Sequence, residues 1–568
     1  MNDNEPTHFN VLVVGTGLAE SILAAALSKS GYSVLQVDSA SYYGTEHASL
    51  SLTELDQWLQ DHPELSPEQT PLDQPDLLKL SQRFALSLFP VLLRATGPGI
   101  DLLVRSKVAT YLQFGLLGGV GLCCKGADAE SEEAKGQGAT RVERVPASKA
   151  DVFNDPKLSL VEKRRLTKLL LFAAGQDSFE EDKVLAAEPE ITFVDYLKKS
   201  YNLGGSIAES LAYALALCSS PSDPALPALR RLRSIIHSVG RYGPSPYLVG
   251  HYGGAGDLVG GFSRICAVWG GGQILGRPLS PLNLTPPTGT PVPASQPPFM
   301  VHENPPPPPS NPAASAQDET TRPLGIPVQL EEGDNPTMLT GDWVISSPHL
   351  LSTLFPSTKT DDSASPSTTS QESVNLVAIL PQPIPFPPPP RSSEETSIEE
   401  GEETPASLSD SNLFVFPPSA LDERIGTVTA LQLGKGTMSC PDGYHVLYLS
   451  APLLPSSSSP TSIGAPSTYL ASYLDSLLSL LPEEASRKPL YTASYFIPTP
   501  PSSLPSIPAN LLVTPSLPSA GQSEGLIMAL DEVVEVVETM FWKIVGEEGK
   551  KEGVEFFRRE VVDDDDAE

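Results

Sequence analysis

Apolar residues recur with a usable period in only part of this chain, and those stretches predict its ordered elements. Residues 9–14 (Phe9-Asn10-Val11-Leu12-Val13-Val14) read as a strand running into the turn at Gly15. A helix over 18–30 follows, then a second strand at 33–37 that Asp38 closes. Two parallel strands flanking a helix make a βαβ unit. Residues 158–175 and 190–218 predict helices, the second with Leu203, Ile207, Leu211 and Leu215 on one stripe. Strands are expected at 343–347 and within 427–450, and an amphipathic helix from Met528 to Val545. The pattern is α/β with a helical insertion.

Between these elements the composition shifts. The 59 prolines of the 568 residues concentrate in 279–323, where Pro305 to Pro309 is an unbroken run, and in 356–424, with Pro387 to Pro390 and an acidic stretch from Glu394 to Glu403. Residues 453–467 are Ser/Pro-rich and 126–143 form a short acidic insert. Such segments carry too little apolar area to offset the entropy of ordering, so they are expected to be insertions or loops. The length implies two or three domains.

Charge and cysteine content narrow the function classes. A net charge of −32 argues against binding a nucleic-acid backbone. It suits either partners with basic segments or simple solubility. Five scattered cysteines without a C-x-x-C pair, and eight scattered histidines, point to a reducing cytosol and no structural zinc. The N-terminus lacks a basic n-region, and Arg105, Lys107 and Gln113 interrupt the apolar run of 102–124, so neither a signal peptide nor a spanning helix is expected. The terminal Asp563-Asp564-Asp565-Asp566-Ala567-Glu568 is no prenylation motif.

Candidate chemistry begins at Gly15-Thr16-Gly17-Leu18-Ala19-Glu20. A dinucleotide-binding loop places glycines for close backbone approach and rests the pyrophosphate on the helix N-terminus. Glu20 stands where the third small residue belongs and sets a carboxyl group beside that position. Asp38 lies roughly where a ribose-binding acid would. The unit is therefore either a flavin site or a scaffold without cofactor, with Glu20 capping its own helix in the second case. Tyr42 and Tyr43 follow at the carboxyl edge of the sheet. The segment Arg241–Gly272 is dense in glycine and aromatic residues, and it lacks the Lys-Ser/Thr ending of a P-loop.

Taken together, Gly15–Ser21, Val37–Gly44, Val145–Phe153, Val161–Arg165 and Arg241–Gly271 resemble, in order, the motifs of the Rab escort proteins, within the superfamily they share with Rab GDP-dissociation inhibitors. Asp38 to Tyr43, Ala150 to Phe153 and the chain length favour the escort branch, also known as accessory component A of Rab geranylgeranyltransferase. The resemblance implies a GDP-dissociation-inhibitor-like fold: an α/β, flavoprotein-type Rossmann-related large domain, a smaller all-helical domain and disordered Pro/Ser-rich insertions. It assigns 1–145, 236–278, 336–355 and 425–557 to the large domain. It assigns 146–235 to the helical domain that docks lipid and transferase. A Pro-rich insertion at 279–335, a disordered Ser/Pro/Glu-rich one at 356–424 and an acidic tail at 558–568 complete the division.

By the same resemblance, Tyr43, Asp257 and Arg264 fall on a Rab-binding platform, although the family more usually has Glu at the position of Asp257. The match at Gly272, Gln273 and Ile274 is incomplete. The loop of Gly15, Gly17 and Glu20 is expected to be vestigial, with no cofactor, no metal and no catalytic residues. The helical domain is expected to hold the geranylgeranyl group of the Rab, with Ala208, Ala212, Ala214 and Ala216 leaving a groove. The implied partners are GDP-bound Rab GTPases, the Rab geranylgeranyltransferase heterodimer and, transiently, a membrane. The implied setting is the cytoplasm. The alternatives are a Rab GDP-dissociation inhibitor and a flavin-dependent oxidoreductase.

Overall fold

The first strand of the βαβ unit is apolar on both faces, so it can only sit inside a covered sheet. A computed structural model of the chain places it so. The structure describes residues 7–125, 140–146, 158–176, 178–279, 324–328, 337–348, 350, 371–388, 408–454, 464–482, 486–498, 510–515 and 523–557. The elements that position the site are, in chain order, β1 (His8–Val14), α1 (Leu18–Lys29), β2 (Val34–Val37), β3 (Phe114–Lys125), α2 (Leu160–Ala174), α3 (Phe193–Tyr201), α4 (Ala225–Ser238), β4 (Tyr247–Gly254), α5 (Gly256–Val268), β5 (Gly272–Ile274), β6 (Thr337–Ser346), β7 (Gln371–Leu380), β8 (Leu408–Phe416), β9 (Leu511–Val513) and α6 (Ser523–Lys551).

One sheet runs β5-β2-β1-β6, parallel throughout, with β9 parallel to the end of β6 and Leu324–Val328 antiparallel to its start. Val11 and Val13 of β1 face α1, α5 and α6, whereas Leu12 and Val14 meet Leu35, Val37, Leu339 and Val344 on the opposite face. A second, ten-stranded sheet contains β7, β8, β3 and β4, and its apolar face packs on the helical region of α2, α3 and α4.

Several expectations change. The helix over 190–218 is broken: α3 ends at Asn202, which takes the left-handed conformation (φ 51) common just past a helix end. A short helix Gly205–Glu209 then continues into a π-helical turn, Ser210–Leu215. The insertion over 356–424 contains β7 and β8, both inside the large sheet. Averaging the composition hid two apolar runs, Leu376–Leu380 and Leu413–Phe416, whose residues are at most 3% exposed. Likewise Thr140–Arg144, at the end of the acidic insert, pairs with β3, and Leu324–Val328 is a strand within the expected Pro-rich insertion. Residues 126–139, 147–157, 280–323 and 558–568 lie outside the described residues, so most of Val145–Phe153, the first Pro-rich stretch and the acidic tail do too. No helix among the described residues is long and apolar enough to cross a membrane.

A buried ion pair ties the C-terminal helix to the sheets. Arg94, at the end of strand Pro90–Arg94, donates through Nε to Asp531 Oδ2 of α6 (2.7 Å), and its Nη2 bonds the same oxygen. The Gly99 amide donates to the other oxygen, Oδ1, at 2.7 Å. Removing one member of such a pair strands a buried charge. Asp531→Ala is expected to cost about 3–5 kcal/mol of unfolding free energy, measured by chemical denaturation. A change of less than about 1 kcal/mol would show the pair to be dispensable.

Candidate functional site

The β1–α1 turn is closed by the chain's own side chains. Asp38 Oδ2 accepts from the Thr16 amide (2.9 Å), the Thr16 hydroxyl (2.7 Å) and the Thr45 hydroxyl (2.8 Å), while Oδ1 accepts from the Ala40 amide (2.9 Å). The Leu18 amide, at the helix N-terminus, donates to His47 Nδ1 at 3.3 Å. A Cβ on Gly17 would lie 2.5 Å from Glu20 Oε2, and one on Gly15 would lie 3.0 Å from Leu350 Cδ1. A dinucleotide needs the loop's donors, the acid's free oxygens and open space above the glycines. The Thr16 and Leu18 amides and both Asp38 oxygens are engaged by protein atoms, and side chains crowd Gly15 and Gly17, so these residues fit a flavin or nicotinamide dinucleotide poorly.

Gly17 is the N-cap of α1, and Glu20 stands in the first turn with its carboxyl hydrogen-bonded to its own backbone amide. Glu20 is 2% exposed and accepts a hydrogen bond from the Thr514 hydroxyl, joining α1 to the residue after β9. Burial, reinforced by the nearby Glu46 and Asp38, pushes its carboxyl up to about 8, so it is protonated at neutral pH. Burial pushes His47 down to about 4, leaving a neutral ring that can accept from Leu18.

The residues expected to form a platform lie on the adjoining surface. Tyr42 packs against the core, whereas Tyr43 is 40% exposed and donates to Gln273 Oε1 at 2.8 Å. Gln273 Nε2 in turn donates to Gln36 Oε1 (3.0 Å) and the Ser263 carbonyl (3.1 Å), bracketing β2, β5 and α5 together. Gln273, where the family match is incomplete, thus positions Tyr43. Asp257 and Arg264 are seven positions apart on α5 and share a face. Gly260 between them is exposed, with nothing within 4 Å of where a Cβ would stand. Asp257 is half-buried, and burial holds its carboxyl above the ordinary range. Arg264 lies over the ring of Tyr111 at 4.5 Å, a residue the motifs did not single out.

A cavity of about 510 Å³ opens between α2, the π turn and α4. Leu166 and Leu170 of α2, Leu211 and Leu215 of the π turn, and Leu232 and Ile236 of α4 line it. The alanines do not form the groove: Ala208, Ala212, Ala214 and Ala216 pack into the core, because the broken helix turns the leucine stripe toward the cavity instead.

With this geometry established, comparison with known proteins places the chain. The profile of the family described as GDP dissociation inhibitor matches residues 1–286, half of its length. The chain belongs to the GDP dissociation inhibitor family. Within the curated proteins it is 33% identical over 304 residues to the Rab proteins geranylgeranyltransferase component A of Drosophila melanogaster, a match covering 50% of this chain and 56% of that one. It is 29% identical over 289 residues to the Rab GDP-dissociation inhibitor of Saccharomyces cerevisiae, covering 50% and 59%. The match thus spans little more than half the length of these relatives. The fold resembles that of the Rab GDI from Plasmodium falciparum (TM-score 0.59, 19% identity, 95% and 98% covered). It also resembles an oxidoreductase from Methanosarcina mazei (TM-score 0.52, 14% identity, 93% and 99% covered). The likeness to that oxidoreductase is one of fold alone, and in this chain the β1–α1 loop is closed by its own side chains.

Glu20 makes stability depend on pH. Its folded value near 8 exceeds the ordinary 4.5, so its contribution is complete below about pH 4.5 and is lost as pH rises toward 8. His47 runs oppositely, its contribution present above 6.5 and lost as pH falls toward 4. Glu20→Gln keeps the acceptor for Thr514 and removes the first titration. The variant should gain on the native chain by about 2–4 kcal/mol between pH 5 and pH 8, followed by denaturation across that range. A pH-independent difference would contradict the assignment.

Proposed function

We propose that this chain is an escort for Rab-type small GTPases. It holds the GDP-bound GTPase, presents its C-terminal cysteines to a separate Rab geranylgeranyltransferase heterodimer and shields the attached lipid until delivery to a membrane. The observation that carries this reading is Arg264. Its guanidinium is exposed and rests on an aromatic face, and it makes no hydrogen bond or ion pair with any described residue. A planar fork held this way presents its donors to carboxylates or carbonyls on a partner. Tyr43, braced by Gln273, supplies an aromatic anchor beside it.

Selectivity for GDP follows if the platform touches loops that a γ-phosphate reorders. The apolar cavity suits an isoprenoid: burying a twenty-carbon chain yields on the order of 10 kcal/mol at ~0.8 kcal/mol per CH₂. In this account the chain performs no catalytic step. It accelerates prenylation by raising the effective concentration of the GTPase tail at the transferase. Such a carrier works in the cytoplasm and meets membranes only on delivery. The similarity to the yeast Rab GDP-dissociation inhibitor supports a second reading, recycling of prenylated Rabs without the transferase.

Reconstitution separates the two. Adding the chain to transferase, lipid donor and unprenylated Rab should yield geranylgeranylated product, and no product would leave the recycling role. Arg264→Ala should weaken binding of GDP-loaded Rab by about 1–3 kcal/mol, read by titration calorimetry, and unchanged affinity would remove Arg264 from the platform. Leu215→Trp, which fills the cavity, should lower affinity for prenylated Rab at least tenfold more than for the unprenylated form. Equal effects on both would place the lipid elsewhere.

A further inference from the structure

We propose that Pro385 and Pro388 form a docking edge for a second protein partner, a domain whose groove is lined by aromatic side chains and reads extended proline runs. The inference stands apart from the Rab-binding reading. It starts from Pro381-Gln382-Pro383-Ile384-Pro385-Phe386-Pro387-Pro388, which follows β7 and which Pro389 and Pro390 continue in sequence. Each proline fixes its own φ near the extended value and turns the residue before it away from the helical region. Prolines at 383, 385, 387 and 388 therefore favour the polyproline II conformation, and neither helix nor strand forms over 383–388.

The large sheet grips one side of this run. Ile384 is buried, and its amide donates to Gln432 Oε1 at 2.6 Å. The Phe386 ring lies in a notch over β3, where a Cβ on Gly119 would stand 2.6 Å from it and one on Gly121 3.0 Å. Phe414 of β8 packs edge-to-face with that ring at 5.5 Å between centroids, and the Arg144 guanidinium covers it at 5.3 Å. Arg144 Nη1 also donates to the Pro387 carbonyl at 3.1 Å.

Polyproline II repeats about every three residues. Pro385 and Pro388 therefore share an edge, and both are exposed, whereas Ile384 and Pro387 share the edge that the protein holds. The result is a P-x-x-P ligand kept extended by its own sheet, so a partner meets it with much of the ordering already done. The ring of Phe386 decides between kinds of groove. A domain that reads the aromatic residue of Phe386-Pro387-Pro388-Pro389-Pro390 would have to lift that ring off β3. An SH3- or WW-type groove reads the proline edge as it stands.

The test titrates the full chain against panels of purified SH3, WW and EVH1 domains. At least one SH3 or WW domain should bind the native chain saturably, and the double variant Pro385→Ala/Pro388→Ala should weaken that binding about tenfold or more. Pro383→Ala removes an exposed proline from a different edge and should change affinity by less than about twofold. Both variants should keep the native melting midpoint. If the double variant does not, Pro385→Ala and Pro388→Ala are compared singly, each expected to bind about threefold more weakly. Native affinity in the double variant, an equal loss in Pro383→Ala, no binding by any SH3 or WW domain, or binding by EVH1 domains alone would each overturn the inference.

Discussion

Asp38 has to be satisfied from within the protein, and much of the surrounding structure follows from how this is done. Both of its oxygens are buried at the end of β2 and hydrogen-bonded to the backbone and hydroxyls of Thr16, Ala40 and Thr45. Those bonds pull the Thr45 turn over the β1–α1 loop. Gly44 makes the fold-over possible, with φ 107 and no room for a Cβ against the Ala48 amide. The turn carries His47 onto the helix N-terminus and leaves Tyr43 pointing to solvent. One set of hydrogen bonds thus closes the β1–α1 loop and sets the place of Tyr43, the first residue proposed to meet the GTPase.

Helix α5 carries Asp257 and Arg264, the other two residues proposed to meet the GTPase. Leu258, Phe262 and Ile265 bury one stripe against α1 and the core, which fixes the helix in place. The opposite stripe holds Asp257, the bare backbone of Gly260 and Arg264. Because the buried stripe supplies the stability, the outer stripe is free to serve recognition. Arg264 retains its hydrogen-bonding capacity because its ring partner, Tyr111, is attached through the π face and takes up none of its donors.

The βαβ unit and its glycine loop were legible because they depend on local chain chemistry: an apolar run and a turn that needs glycine. What escaped the sequence is non-local. β7 and β8 are short apolar runs inside Ser/Pro-rich surroundings, and only pairing within the large sheet gives them meaning. The break at Asn202 decided which side of the leucine stripe faces the cavity, and no periodicity announces it. Gln273 and Tyr111 look unremarkable in sequence. They matter through contacts with Tyr43, more than two hundred positions away, and with Arg264, far along the chain.

The account holds that a dinucleotide scaffold has closed its cofactor loop and turned its outer edge to a protein partner. Calorimetric titration of the full chain with GDP-loaded Rab and, separately, with flavin adenine dinucleotide addresses both halves directly. Saturable binding of the GTPase with no heat attributable to the dinucleotide is the predicted result. Stoichiometric binding of the dinucleotide, or none of the GTPase, would contradict it.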